Sequence, residues 1–150
     1  MTTSKRETDL GLDSYLSFAV YSANLAFGKA YKPMLDQLGL TYTQYLTLIA
    51  LSEQDQQTVG NLGERLYLTS STLTPILKKL ESKGFVQRQR HVADERQVLV
   101  ALSRSGLRLC EKAQSLDIVE SAGMKANEIA VALRAITMLR DALVKSGRRD

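Results

Sequence analysis

The sequence predicts a mainly α-helical fold carrying one small β-hairpin, and three observations predict it. Apolar residues recur at three- and four-residue steps over most of the chain, the period of helices packed by one face. After Gly84 the period shortens to that of two strands. Only two prolines, Pro33 and Pro75, interrupt the 150 residues.

Taken in order, Leu16, Val20, Ala23, Phe27, Ala30, Met34 and Leu38 mark a long amphipathic helix. It is expected to start from a cap near Asp13 and end at Gly39, kinked or divided by Pro33. Thr41 and Gln44 have capping-box spacing and open a second helix through about Leu51. Residues 52–57 are polar and read as a loop. Thr58 caps a short helix containing Leu62 and Leu66. After Tyr67-Leu68, Thr69 caps another, with Leu73, Ile76, Leu77 and Leu80 on one face and Gly84 at its end. A bend is expected at Pro75. Two short helices joined by a tight turn make a helix-turn-helix.

Residues 85–90 and 97–102 read as strands joined by a polar, charged connection, so the hairpin is a wing behind the second of those helices. Ser103 or Ser105 caps a further helix to about Leu116. A last helix covers about 127–145, with Ile129, Leu133, Ile136, Leu139 and Leu143 as its stripe. The chain reads as one domain. Residues 41–102 form a winged helix-turn-helix, and residues 10–40 and 103–147 supply helices with more apolar surface than so small a core covers. Such a surplus calls for a partner, and a homodimer through both chain ends is expected.

Composition excludes several classes. Hydrophobic residues make up 44% and charged residues 24%, ordinary for a soluble globular protein. No long apolar run offers a transmembrane helix, the acidic N-terminus offers no secretion signal, and a cytoplasmic address is expected. Cys110 is the only cysteine and His91 the only histidine, so neither an internal disulfide nor a zinc set, nor any other metal or cofactor, is expected. No nucleophile elbow or phosphate-binding glycine loop is present, and the chain does not read as an enzyme.

The net charge of +4 is unevenly placed. Residues 58–104 hold Arg65, Lys78, Lys79, Lys83, Arg88, Arg90, Arg96 and Arg104 against Glu64, Glu81, Asp94 and Glu95, and the remainder is neutral. One basic segment on a neutral body suits a polyanion, here double-stranded operator DNA. Thr69, Ser70, Ser71, Thr72 and Thr74, at the start of the second helix of the pair, suit base edges and phosphates. Lys78 and Lys79 sit further along, placed for phosphates. In the wing, Arg96 suits a narrow minor groove, its guanidinium held by Asp94. Arg88 and Arg90 alternate on one strand face and are expected to meet phosphates. A winged helix used only for protein contact is the contrary reading, and the charge argues against it.

The run Gly63-Glu64-Arg65-Leu66, Thr69 to Pro75, Lys78-Lys79-Leu80-Glu81, Gly84-Phe85-Val86 and Asp94-Glu95-Arg96 closely resembles MarR-family regulators. Within that family, Tyr31-Lys32-Pro33 and Leu38 through Leu46 resemble the organic hydroperoxide resistance regulators. The resemblance covers about residues 12–109 and weakens beyond. It implies a dimeric repressor whose first-helix cysteine is oxidised by organic hydroperoxide, releasing the operator. The family places that cysteine in Leu-Cys-Phe-Ala. This chain reads Leu16-Ser17-Phe18-Ala19, with Ser17 at the sensor position. A serine cannot enter the sulfenic acid ladder.

Tyr31 and Tyr42 match the family tyrosines that hydrogen-bond the sensor thiolate, and Tyr21 lies one turn from Ser17. Two explanations fit: an engineered Cys→Ser change that traps the reduced, DNA-competent form, favoured by the retained tyrosines, or a natural relative that has lost peroxide sensing or senses something else. An alternative signal is a small aromatic or phenolic ligand, with Tyr21, Tyr31, Tyr42 and Tyr45 as the pocket. Cys110 reads as a packing residue.

Overall fold

The computed structural model describes residues 11–114 and 118–147. The chain divides into two compact units, Met1–Ala113 and Gln114–Asp150. Among the described residues, the first holds a single 3-10 turn, Leu12–Ser14, then α1 (Leu16–Leu38), α2 (Tyr42–Glu53), β1 (Gln57–Thr58), α3 (Val59–Leu66), α4 (Ser70–Ser82), β2 (Val86–Arg90), β3 (Val98–Leu102) and α5 (Arg104–Gln114). The second holds α6 (Ile118–Ser121) and α7 (Ala126–Ser146).

The helix starts follow from local side-chain chemistry. At α2 the capping box closes from both sides: Gln44 N–H donates to Thr41 Oγ1 at 3.3 Å and Thr41 N–H to Gln44 Oε1 at 3.1 Å. Thr58 Oγ1 accepts from Asn61 N–H at 3.1 Å to start α3, and Thr69 Oγ1 from Thr72 N–H at 3.3 Å to start α4. Gly84 leaves α4 at φ 76°, a conformation that costs a residue with a Cβ, while Phe85 N–H reaches back to Leu80 O at 3.0 Å. The turn between α3 and α4 is tight: Leu68 N–H donates to Gly63 O at 2.9 Å. A Cβ on Gly63 would stand 2.8 Å from Leu68 O, so only glycine lets the two helices approach this way.

Several boundaries differ from expectation. Asp13 does not cap α1: it lies in the 3-10 turn, and Tyr15 stands at the N-cap without a side-chain bond. Neither Pro33 nor Pro75 divides its helix, since α1 and α4 each run through their proline. The segment expected to be a loop is helical to Glu53, and Gln57 enters a strand. That strand completes a three-stranded antiparallel sheet of order β1-β3-β2, with Gln57 opposite Val100 and Arg88 opposite Val100 on the other side. Ser103 caps α5 by accepting from Gly106 N–H at 3.1 Å, whereas Ser105 donates to Gly84 O at 2.7 Å. The end of that helix expected at Leu116 lies outside the described residues. α6 had not been expected at all.

Leu48, Leu51, Leu62, Leu73, Leu77, Leu80, Val86 and Val100 are almost wholly lost to solvent and form the core beneath α2, α3, α4 and the sheet. Polar groups inside it are satisfied: Thr47 Oγ1 donates to Thr43 O at 2.7 Å and Gln57 Nε2 to Ala50 O at 3.1 Å. α1 reaches this core through its C-terminal part, where Met34 and Leu35 are buried and Tyr31 and Leu38 pack against it half-buried. Its earlier residues Leu16, Tyr21 and Leu25 stand exposed, as do Val131, Leu133, Met138 and Leu143 on α7, which has no buried residue among those described.

Candidate nucleic-acid interface and tyrosine cluster

The first turn of α4 presents Ser70, Ser71 and Thr72 to solvent. Thr69 Oγ1 lies 3.0 Å from both Ser71 Oγ and Thr72 Oγ1, so the hydroxyls are already ordered among themselves. Thr74 is half-buried and spends its proton on Ser70 O at 2.7 Å, leaving its oxygen as acceptor only. Lys78 and Lys79 are exposed, on the side of α4 away from buried Leu73, Leu77 and Leu80. The helix start therefore offers N–H groups and hydroxyls to an anion, and Lys78 and Lys79 add two ammonium groups more than two turns on, donors that a phosphate backbone takes.

The wing departs from expectation at two residues. Arg88 is not free for a phosphate: its Nη2 lies 2.7 Å and its Nε 2.9 Å from Glu81 Oε2, and its backbone N–H donates to Glu81 Oε1 at 3.2 Å. That guanidinium holds the Glu81 carboxyl below the usual carboxylate range. Asp94 does not bind the Arg96 guanidinium either. Its Oδ1 accepts the Arg96 backbone N–H at 3.1 Å, an Asx turn that shapes the loop while the side chain of Arg96 stands exposed. Gln97 N–H to Asp94 O and His91 N–H to Gln97 O, both 2.9 Å, close the loop. Arg90 is exposed near its base.

Sequence reasoning missed Glu81 because its partner lies seven residues on, across the change from helix to strand. The signal was there in hindsight: an acid in the last turn of α4 and a cation on the adjoining strand.

Tyr31 and Tyr42 come together, their ring centroids 5.1 Å apart, and Tyr45 joins them at 6.0 and 6.2 Å. Burial raises the phenols of Tyr42 and Tyr45, so both remain protonated donors at neutral pH. Tyr21 is not part of this cluster; it packs on Phe18 at 6.3 Å and stands 58% exposed. Ser17 is exposed too. Fourteen helical residues separate it from Tyr31, about 21 Å along the axis at ~1.5 Å per residue, so one chain does not assemble serine and tyrosines. Cys110 is buried in the core, and burial pushes its thiol above the ordinary range, away from the reactive thiolate.

Among the described residues no cluster of His, Cys, Asp and Glu gathers to hold a metal, and no helix is long and apolar enough to cross a membrane. Residues 29–113 match the family model of the transcriptional regulator SarA/Rot. The organic hydroperoxide resistance transcriptional regulator of Bacillus subtilis (strain 168) is 47% identical over 102 residues, 68% of this chain and 69% of that protein. The HTH-type transcriptional regulator TtmR of Methylorubrum extorquens (strain PA1) is 42% identical over 145 residues, 95% of this chain and 74% of its own. Among solved structures, reduced AbfR bound to DNA superposes with a TM-score of 0.72 at 33% identity, covering 89% of this chain and 94% of AbfR.

Proposed function

The chain belongs to the SarA/Rot family of transcriptional regulators, DNA-binding proteins with the MarR-type winged helix, and on that premise we propose that it is a dimeric operator-bound repressor built on a hydroperoxide-sensing frame whose sensor position is Ser17. The operator is double-stranded DNA met by the start of α4, through Thr69 to Thr72, and by the wing through Arg96. Lys78, Lys79 and Arg90 supply charge for the backbone. The proposed address is the cytoplasm, with that DNA.

The observation that carries the reading is the separation of Ser17, on exposed, apolar α1, from Tyr31 further along that helix and Tyr42 at the start of α2. In a two-fold pairing each residue of one copy meets its counterpart's partner on the other. Such a pairing brings Ser17 of one protomer toward the tyrosines of its partner, twice. Residues 10–40 and 103–147 are the proposed dimerisation helices, and the two reading helices then lie about one DNA turn, ~34 Å, apart. A cysteine at position 17 would pass from thiolate to sulfenic acid with organic hydroperoxide as oxidant, leaving the alcohol. A serine hydroxyl has no such step, and the repressor stays on its operator.

The test uses an operator selected from a random duplex pool, with binding followed by fluorescence anisotropy before and after cumene hydroperoxide. Release by the Ser17→Cys protein alone supports the reading. Release of the unaltered protein at equimolar peroxide overturns it. The cluster of Tyr31, Tyr42 and Tyr45 within one chain favours a second reading, release by a small aromatic or phenolic ligand, which leads if neither protein responds to peroxide.

A further inference from the structure

The Glu81 carboxylate grips the base of the wing by both oxygens. One accepts the backbone N–H of Arg88 at 3.2 Å; the other accepts Nε and Nη2 of the same residue at 2.9 and 2.7 Å. Glu81 belongs to the last turn of α4 and Arg88 to the middle of β2. Arg88 stands opposite Val100, whose side chain is wholly buried, so the grip falls where the hairpin leaves the core. Glu81 and Arg88 side chains are 37% and 26% exposed, half-shielded from competing water.

From Arg88 the hairpin reaches out through Arg90 to the largely exposed loop over residues 91–97. Five residues at ~3.3 Å each make a lever of about 16 Å. A swing of about 10° at its base moves the tip by roughly 3 Å, well past the ~0.5 Å tolerance of a preorganised contact. The loop beyond is closed upon itself by Asp94, so the base is where the wing's angle is set.

We infer that Glu81 is a positioning residue for DNA recognition: its clamp on Arg88 fixes the angle between the reading helix and the wing, so that Arg96 and the α4 start meet DNA together. This rests on the proposed role of the wing. It assigns Arg88 to the protein's own geometry rather than to phosphate.

The experiment is a double-mutant cycle on operator binding by the full chain, with Glu81→Gln and Arg96→Ala, salt dependence, and thermal melts of each protein. Arg96→Ala is expected to weaken binding by roughly ten- to a hundredfold. Glu81→Gln should weaken it about tenfold alone, yet less than about twofold further once Arg96 is gone, with the melt still cooperative. Equal losses in both backgrounds would mean that the pair merely supports α4, and overturn the inference. No loss from Glu81→Gln overturns it as well. If Arg96→Ala is harmless, the wing reading itself fails and takes the inference with it. Arg88→Lys keeps the charge but lacks the two-donor fork, and should fall between the native protein and Glu81→Gln. This second variant carries the test should Glu81→Gln fail to fold.

Discussion

Along α4, Leu73, Leu77 and Leu80 are sealed from solvent, whereas along α7, Val131, Leu133 and Met138 stand about 70% exposed. Both helices carry apolar side chains at helical spacing. The difference is what lies within reach of each: α4 meets α2, α3 and the sheet, and its polar termini are closed by Thr69 and Gly84. α7 presents its stripe outward within a unit of two helices. The reading head is thus a finished fold. The exposed apolar surface of α7 and of the first two-thirds of α1 is what the proposed dimer would cover.

The sharpest way to break this comparison is one substitution on each side of it. Leu77→Ala empties a fully buried site and should destabilise the protein by about 2–5 kcal/mol in urea unfolding. Leu133→Asp, on the exposed stripe, should leave the melt of the reading head in place and instead shift the sedimentation coefficient from dimer toward monomer at micromolar concentration. An unchanged coefficient would return α7 to the status of a lone helix.

The smallest expected effect is a matter of pH. Arg88 lowers the Glu81 pKa in the folded protein, so the clamp's stabilisation is complete above the unfolded carboxylate value. It is lost as pH falls through the depressed folded value. The melting difference between the native protein and Glu81→Gln should therefore be flat near neutrality and close only below the ordinary carboxylate range. A difference that varied between pH 6 and 8 would point to another group.

What the sequence makes legible follows the range of the interactions. Thr41, Thr58 and Thr69 announce their helices because a cap needs only residues two or three away, and Gly84 announces an end for the same reason. The two strands of the wing, adjacent in the chain, were equally plain. β1 was not: two residues become a strand only because Gln57 pairs with Val100, 43 positions on. Of the two outcomes expected at Pro33, division does not occur, because α1 continues through the proline to Leu38.

At the candidate site the residue types were legible and their partners were not. Asp94 and Arg96 do meet, but through the Arg96 backbone; Arg88 pairs with Glu81; Tyr21 stands apart from Tyr31 and Tyr42 within the chain. Each outcome depends on where a side chain is aimed, and spacing along a chain does not fix that.

The clamp at Arg88 has a consequence for the edge of the sheet. In the order β1-β3-β2 the first strand of the wing is an edge, and an edge offers unpaired N–H groups to any other strand. Glu81 occupies one of them, the Arg88 amide, with a charged side chain lent by a helix. One amide at the centre of that edge is thereby unavailable to an added strand.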